Sequence, residues 1–445
     1  MTSARLAALL VSGGLCAATP ALAQSPAAGE VTAPVATPLP PPAPADAPPP
    51  PPPPAPPAAP AGEENIFRFY GTFNPRIIAA SGAVESYSQP NASAITAAGN
   101  PVFSNLPDRS RFSFQVAQSR VGFWLNEKGQ ARAQLELDFV DFTKATPTVA
   151  SLPRVRIAHV DYVFHPGHTL SLGQDWDLHA PLNPHGINLV GALFVGGNSA
   201  FMRQQLKYLY SNPALELGVA LGFPTPNNTA KDAAFELGFL PTFAARGAYK
   251  FGKSRVGASA IATRLPFNLE TPDETFRTAF AAAAFTELAP TPDTNVRVEV
   301  NYGQNSANLG LLTLATGRAT DDLQEVGGFI SVRQSLTPKH AVYGMGGYQK
   351  VLDSEKVLPS YGYGTPPANG EAPAFSSAAL SGTGPGMLHN GSVRVGYEFR
   401  HSRQLALVLE GFLFHSHFRL QALDVPRAEP VRTTLGIETG ALLTF

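Results

Sequence analysis

The chain has 445 residues, a formal net charge of −1 and a hydrophobic fraction of 44%. This near balance of acids and bases gives no reason to expect a nucleic-acid-binding protein. The single cysteine, Cys16, lies in the signal peptide predicted below, so the mature chain is expected to have no disulfide, thiolate metal site or cysteine nucleophile. No cofactor is predicted.

The first 23 residues predict a secretory signal peptide. Arg5 supplies the positive charge, Leu6–Cys16 the apolar stretch, and Ala21-Leu22-Ala23 the small-residue cleavage site before Gln24. Beyond it, no run approaches the roughly 18 apolar residues that a membrane helix needs. The protein is therefore expected to leave the cytoplasm without a helical membrane anchor.

Residues 24–64 are predicted to form an alanine- and proline-rich arm in the periplasm. Val31–Ala61 is low-complexity sequence with an unbroken proline run at Pro48–Pro54. Such a segment cannot build a core and is expected to extend as polyproline II, at about 3.1 Å per residue or roughly 90 Å in all. Two roles stay open: a spacer, or a tether that contacts peptidoglycan or another periplasmic partner.

Residues 65–445 predict an all-β domain, a transmembrane antiparallel β-barrel of about 16 strands. In 131–139, apolar residues share one face while Arg132, Glu136 and Asp138 share the other, as expected for a strand between two environments. Many runs have about the 9–11 residues that a tilted strand needs to cross a bilayer. The β-type runs are 66–76, 112–126, 130–142, 154–165, 168–176, 203–211, 214–223, 240–251, 254–264, 277–288, 294–304, 325–336, 340–350, 390–400, 403–418 and 432–445.

The connections between these runs alternate in length. Those after the even-numbered runs are short turns, whereas most of those after the odd-numbered runs are long. The longest are 77–111, 177–202, 305–324 and 351–389. Short turns at one rim and long loops at the other are typical of outer-membrane barrels. An even strand number brings both ends of the barrel segment to the short-turn, periplasmic rim, where the arm must also lie.

Two runs do not keep one apolar face throughout. The apolar face changes near Ala117–Gln118 in the second run and near Ala158 in the fourth. β-Bulges at these points would restore a consistent inside and outside.

The most informative connection is 177–202. Its prolines, including Pro181 and Pro184, and its glycines break any regular pattern. Yet it also carries large apolar residues such as Ile187 and Phe194, which need burial. A long connection that is both irregular and apolar is usually functional. We predict that it is the third long loop, folded back into the barrel, and that it narrows the lumen.

Charged residues on the polar faces of adjoining strands are the candidates for the wall of this constriction. The bases are Arg120, Arg132, Arg154, Arg156, Arg203 and Lys207, and the acids expected to oppose them are Asp175, Asp177, Glu136 and Asp138. Opposed rows would create a transverse field that orients dipolar solutes, and the excess of bases leans towards anions. The alternative is that these charges only solvate the lumen and hold the loop by ion pairs. Arg154 and Arg156, two residues apart on one face, are the strongest candidates.

Several segments resemble known outer-membrane proteins. The final strand ends in the aromatic residue Phe445 and resembles the assembly signal of Gram-negative outer-membrane proteins, which implies recognition by the barrel-assembly machinery. The segments that resemble the DcaP-like branch of porins are Ser119-Arg-Val-Gly-Phe, Gln134-Leu-Glu-Leu-Asp-Phe, Arg154-Val-Arg-Ile-Ala-His-Val-Asp-Tyr and Gly173-Gln-Asp-Trp-Asp-Leu-His-Ala-Pro-Leu-Asn-Pro.

This resemblance covers roughly residues 119–205. It implies a trimeric, sixteen-stranded channel with an inward-folded third loop and a preference for small anionic solutes such as dicarboxylates. The chain departs from the family in having polyproline where an N-terminal helical segment is common. The interior of its third loop is also its own, so the choice of solute does not follow from the resemblance.

Together these features predict a porin of the cell outer membrane, a homotrimer embedded in lipid, through which small polar or anionic solutes diffuse passively. Three alternatives stay open: a substrate-specific or gated channel, a structural barrel that anchors the envelope through the arm, and a barrel enzyme. The last is least favoured because the sequence contains no Gly-x-Ser-x-Gly elbow. His415 and His417 could ligate a metal, but a single pair is not enough to predict a site.

Overall fold

The structure, a computed structural model, describes residues 66–82, 94–97, 100–103, 110–139, 153–179, 181–189, 193–200, 202–222, 241–266, 276–309, 311, 314, 322–357, 360–361, 387–418, 420–421 and 431–445. The predicted signal peptide and proline-rich arm lie outside these residues. Across these ranges, no helix is long and apolar enough to cross a membrane.

The described residues are almost entirely strands and their connections. The strands are β1 (Phe67–Phe73), β2 (Arg76–Ala80), β3 (Ala94–Ala97), β4 (Asn100–Phe103), β5 (Arg111–Gln115), β6 (Arg120–Leu125), β7 (Ala131–Asp138), β8 (Arg154–His165), β9 (His168–Trp176), β10 (Met202–Ser211), β11 (Leu215–Gly222), β12 (Thr242–Phe251), β13 (Ser254–Pro266), β14 (Phe276–Thr291), β15 (Thr294–Gln304), β16 (Gln324–Ser335), β17 (His340–Val351), β18 (Ser360–Tyr361), β19 (Met387–Arg400), β20 (Leu405–Phe418), β21 (Leu420–Gln421) and β22 (Val431–Thr444). Two 3₁₀ turns, at Ser306–Leu309 and Ser354–Lys356, complete the elements.

Eighteen of these strands form one antiparallel sheet that closes on itself. Because β1 and β2 continue one another across Asn74–Pro75, and β5 and β6 across 116–119, the sheet is a barrel of 16 strands, as predicted. The remaining strands form two small pairs, β3 with β4 and β18 with β21, inside the long connections. No pattern in the sequence predicted these pairs.

The barrel closes where its first and last strands meet, a contact called here the closing seam. β22 pairs with β20 on one side and with β1 and β2 on the other. Its last residue, Phe445, exchanges two backbone hydrogen bonds of 3.1 Å with Gly71, and its ring lies 5.6 Å from that of Phe73. Phe445 therefore completes the ladder of the closing seam, while its role as an assembly signal stays a prediction.

The outer wall carries large apolar side chains at every second strand position, and the inner wall carries most of the polar ones. Phe69 and Phe114 are each 69% exposed, and Leu172 and Val395 are each 63% exposed. A water-soluble protein would bury such residues, whereas a barrel surrounded by lipid exposes them. The predicted alternation of faces is thus seen along the wall.

Both predicted changes of apolar face coincide with irregularities in the sheet. In β8, Ile157 pairs with Glu136 and Val155 with Leu137, so Arg156 is an extra residue in the strand. Because the bulge reverses the alternation, Arg154 and Arg156 before it and His159 and Asp161 after it all face inward. β5 and β6 together form the second strand of the wall. The break between them exchanges the inward-facing and outward-facing positions, so the apolar face changes from β5 to β6.

Candidate functional site

The connection between β9 and β10, residues 177–201, is called here the interior loop, because its described residues, 177–179, 181–189 and 193–200, lie inside the barrel. Leu182, Ile187 and Leu193 are buried against inward-facing side chains of the wall. The wall residues in this cluster are Ala248, Phe285, Phe329, Tyr343, Met345 and Val408. The apolar residues that make the loop look unlike a solvated loop are therefore covered by the far side of the barrel.

Small residues in the wall make room for the interior loop. On β14, the inward positions 279, 281 and 283 are all occupied by alanine. A Cβ added at Gly347 of β17 would collide with the carbonyl oxygen of Gly196. Gly197 has φ = 113°, and a Cβ there would collide with the carbonyl oxygen of Gly328. Only glycine permits this backbone approach.

Polar side chains of the wall bind the backbone of the interior loop. Asn301 donates to the carbonyl oxygen of Gly197 over 2.7 Å, and Asn390 donates to that of Val195 over 3.1 Å. Asn74 donates to the carbonyl oxygen of Ile187 over 3.1 Å. Val195 has φ = 65°, a costly conformation for a β-branched residue, which the surrounding contacts must hold in place. The loop is fixed from several sides of the barrel.

His185 is a further fixed point of the interior loop. Its Nδ1 lies 2.8 Å from Oγ of Ser331 and its Nε2 lies 2.8 Å from Oδ1 of Asn295. Its backbone N–H donates to the same Ser331 hydroxyl over 2.9 Å. A serine–histidine–asparagine row can serve catalysis, but Ser331 is fully buried, so its hydroxyl is closed to a substrate. The row instead holds the loop against β15 and β16.

We expect acid to loosen the interior loop. Burial lowers the pKa of His185 from 6.5 to about 4, and the nearby Arg297 charge adds to the effect. In a released loop the ring would regain its ordinary pKa, so the released form binds more protons at intermediate pH. Docking is then strongest above about pH 6.5 and weakens progressively as the pH falls towards about 4. Single-channel conductance measured over this window should rise as the pH falls.

The control for this prediction is His185→Phe, which removes the titrating ring. Its conductance should change less between about pH 6.5 and about pH 4 than that of the unmodified protein. Identical profiles for the two proteins would contradict a role for His185.

The bases predicted to line the constriction all face inward, and each lies beside an acid. Arg154 binds Asp138 over 2.6 Å, Arg132 binds Asp161 over 3.1 Å and Arg203 binds Asp177 over 2.7 Å. Arg156 pairs with Glu136, Lys207 pairs with Asp175, and Arg120 binds the carbonyl oxygen of Leu189 in the interior loop. The acids Asp175, Asp177, Glu136 and Asp138 were expected to face these bases across the pore. In the structure, neighbouring strands instead bring each of these acids next to a base.

Exposure divides the six predicted bases into two groups. The side chains of Arg120, Arg132 and Arg154 keep 16%, 31% and 27% of their surface exposed. Arg156, Arg203 and Lys207 are buried in their ion pairs. Arg156 also stacks on Trp176, with its guanidinium carbon 5.2 Å from the ring centre. The two neighbouring arginines of β8 therefore differ, and only Arg154 is open to solvent.

A second set of inward charges, not singled out by the sequence analysis, lies towards the short-turn rim and is called here the charged belt. Arg246 binds Glu216 over 2.8 Å, and Glu287 lies between Arg255 at 3.1 Å and Arg297 at 2.9 Å. Arg333 binds Glu398 over 3.2 Å. Each of these residues occupies the polar face of its strand near a short turn. This position in the alternation of polar and apolar residues is the sequence signal from which the charged belt could have been predicted.

A set of fully covered charges, called here the buried quartet, joins the last three wall strands to the first. Its members are Arg76, Arg394, Glu410 and Glu438. Arg76 lies 3.2 Å from Glu438, and Arg394 pairs with Glu410 and lies 3.6 Å from Glu438. Tyr343 donates to Glu410 over 2.8 Å. The two positive and two negative charges balance one another out of contact with water.

The part of the chain that the structure describes contains no group of three or more His, Cys, Asp or Glu side chains placed to hold a metal ion. His415 and His417 lie on the outer face of β20, where they face away from the lumen.

No family model matches the chain, and no curated protein matches it. Among solved structures, the chain is similar to the outer membrane channel DcaP of Acinetobacter baumannii, with 14% identity, a TM-score of 0.59 and coverage of 85% of this chain and 97% of that chain. It is also similar to OmpF of Salmonella typhi in complex with daunomycin (11% identity, TM-score 0.48, 85% and 97% coverage) and to OprB of Pseudomonas putida (10% identity, TM-score 0.48, 85% and 94% coverage).

The similarity to the DcaP channel extends over nearly all of that chain and concerns the fold. The chain therefore has the fold of the outer-membrane porins, here a closed barrel of 16 antiparallel strands with a long loop folded into its interior.

Proposed function

We propose that the protein is a passive diffusion channel of the outer membrane for small hydrophilic solutes, with a mild preference for anions. The observation that carries this proposal is the excess of solvent-open arginines on the inner wall. Among the wall strands that the structure describes, eight inward arginines keep between 16% and 31% of their side chains exposed, against four inward carboxylates at between 16% and 21%. A water-filled passage with this lining favours anions by its electrostatic potential.

Planar-bilayer recordings across a potassium chloride gradient would test the channel and its preference together. We expect discrete conductance steps and a reversal potential displaced towards that of chloride. The variant Arg255→Gln/Arg297→Gln should move the reversal potential towards that of potassium, because it removes two exposed positive charges and leaves the Glu287 carboxylate without them.

The matched control is Arg68→Gln, which breaks an ion pair with Glu127 at the short-turn rim. Because Arg68 lies at the exposed edge of the barrel, its removal should leave the reversal potential close to that of the unmodified protein. A selectivity equal in the control and the double variant would count against the charged belt as the source of anion preference.

The solute class and assembly belong to the same proposal. Dicarboxylates fit a passage with more arginines than carboxylates, since each presents two anionic groups to paired guanidinium donors. Liposome swelling should then be faster with a small dicarboxylate than with a neutral solute of similar size. A homotrimer would appear in the bilayer recordings as conductance steps in groups of three.

A gated or substrate-specific channel is a second candidate. It is favoured because inward-facing polar residues around the interior loop are buried. Asp177, Arg203, Glu299 and Asn301 all face inward and are all buried. Silence in the bilayer from a barrel shown to be folded would favour this candidate over the open channel.

An anchoring role through the arm would add to either channel. Deleting residues 31–61 should then weaken the attachment of the outer membrane to the peptidoglycan while conductance stays normal.

A further inference from the structure

Three histidines and a lysine form a group on the outer wall at the long-loop rim. The strand register brings Lys350 of β17 next to His389 of β19, and His389 next to His417 of β20. The ring centre of His389 lies 5.1 Å from that of His417 and 6.3 Å from that of His415. These four residues are called here the histidine patch.

The histidine patch faces outward, away from the lumen. The residues that alternate with it, Gln349, Asn390 and Ser416, are buried on the inner side of the same strands. Further along the outer faces of β19 and β20 come apolar residues such as Val393 and Leu413, which are 52% and 38% exposed. The patch therefore lies where the apolar band of the barrel ends, which is the level of lipid headgroups.

Within the described part of the chain, no carboxylate forms an ion pair with the histidine patch. The groups that face it from neighbouring strands are Tyr348, whose ring centre is 5.7 Å from that of His389, and Thr433, whose hydroxyl is 2.9 Å from Nδ1 of His415. Nδ1 of His389 is shielded from solvent and has no hydrogen-bond partner there. Among the residues that the structure describes, the patch thus has no acidic partner.

We propose that the histidine patch binds the phosphate of an outer-leaflet lipid headgroup, and binds it more strongly in acid. A protonated imidazole is a cation with two N–H donors, and a phosphate presents several acceptor oxygens. Three imidazoles and one ammonium group on one face suit a phosphate at the membrane surface, where basic clusters attract anionic headgroups. The proposal rests on the outer-membrane location proposed above and adds a lipid partner to it.

Binding of phosphorylated lipid A to the purified full-length protein in nanodiscs of neutral lipid would test this. We expect binding about tenfold tighter at about pH 5.5 than at about pH 8, because protonation adds positive charge to the patch. The variant His389→Gln/His415→Gln/His417→Gln should lose most of this difference while its barrel stays folded. Lipid A from which the phosphates have been removed should bind weakly, and equally, at both pH values.

The matched control is His165→Gln/His168→Gln, a histidine pair at the opposite rim whose ring centres are 5.2 Å apart. It should keep the full pH dependence. The proposal is overturned if dephosphorylated lipid A binds as well, if the triple variant keeps the pH dependence, or if binding requires a divalent metal and disappears with a chelator. If the wild-type protein binds lipid A in this way yet conducts no ions, the proposed channel function is contradicted and the proposed lipid site is not.

Discussion

Replacing Arg394 by methionine should destabilise the barrel by about 3–5 kcal/mol, because it leaves two buried carboxylates with one nearby guanidinium group. Arg394 lies between Glu410 and Glu438, and its guanidinium carbon is 5.3 Å and 5.2 Å from the ring centres of Phe412 and Phe414. Methionine fills part of the space but supplies no positive charge. The change would be measured as the shift in the urea concentration at which the folded barrel, identified by its mobility on unheated gels, is half lost.

Two further variants separate charge from packing at this position. Arg394→Met/Glu410→Gln restores the charge balance of the buried quartet and should recover a large part of the lost stability. Arg400→Met removes an exposed arginine that binds Glu398 over 2.8 Å at the short-turn rim, and should have little effect. If the Arg394→Met barrel is as stable as the Arg400→Met barrel, the buried quartet does not contribute measurably to the stability of the barrel.

Replacing Gly347 by leucine should displace the interior loop and raise single-channel conductance about twofold or more, if the loop sets the narrowest point. A side chain at Gly347 would point into the barrel, where its Cβ would collide with the carbonyl oxygen of Gly196 and lie 3.1 Å from Cδ1 of Leu193. The wall strand is held by ladder bonds on both sides, whereas the loop is held by scattered contacts, so the loop is the part that moves. Conductance would be recorded after confirming that the barrel is folded.

The neighbouring Gly346→Leu is the matched control for this substitution. Its Cβ would point outward, and the nearest atoms it would meet are 3.8 Å and 3.9 Å away. The two variants add the same side chain to adjacent positions of one strand, on opposite faces. Equal conductance in both folded variants would mean that the interior loop does not limit the passage.

The barrel could be predicted from the sequence because its evidence is local. Alternation in β7 and the rhythm of short and long connections need only neighbouring residues, and even the face change near Ala158 pointed to the bulge at Arg156. One error of detail has a physical cause. The first run was ended at Arg76, whereas the wall strand resumes there and continues to Ala80 after the break at Pro75.

The partners of the interior loop and of the charges could not be predicted in the same way. That Glu136 lies beside Arg156 rather than across the lumen depends on the register of β7 and β8. Gly347 contacts the backbone at Gly196, although the two residues are far apart in the chain. No periodicity in the sequence indicates such a contact. The same holds for the histidine patch, since only His415 and His417 are neighbours in sequence and His389 joins them through the pairing of β19 and β20.

The closing seam also has a kinetic consequence. Arg76 and Glu438, which meet across it, are 362 residues apart in the chain. Bringing such distant residues together carries a loop-closure entropy that neighbouring hairpins do not, so the seam is expected to be the last contact to form. Until it forms, two strand edges expose backbone N–H and C=O groups that lipid cannot satisfy. A nascent barrel whose strands are all paired except at the seam is therefore only slightly stabilised in the membrane. Its insertion should be close to all-or-none.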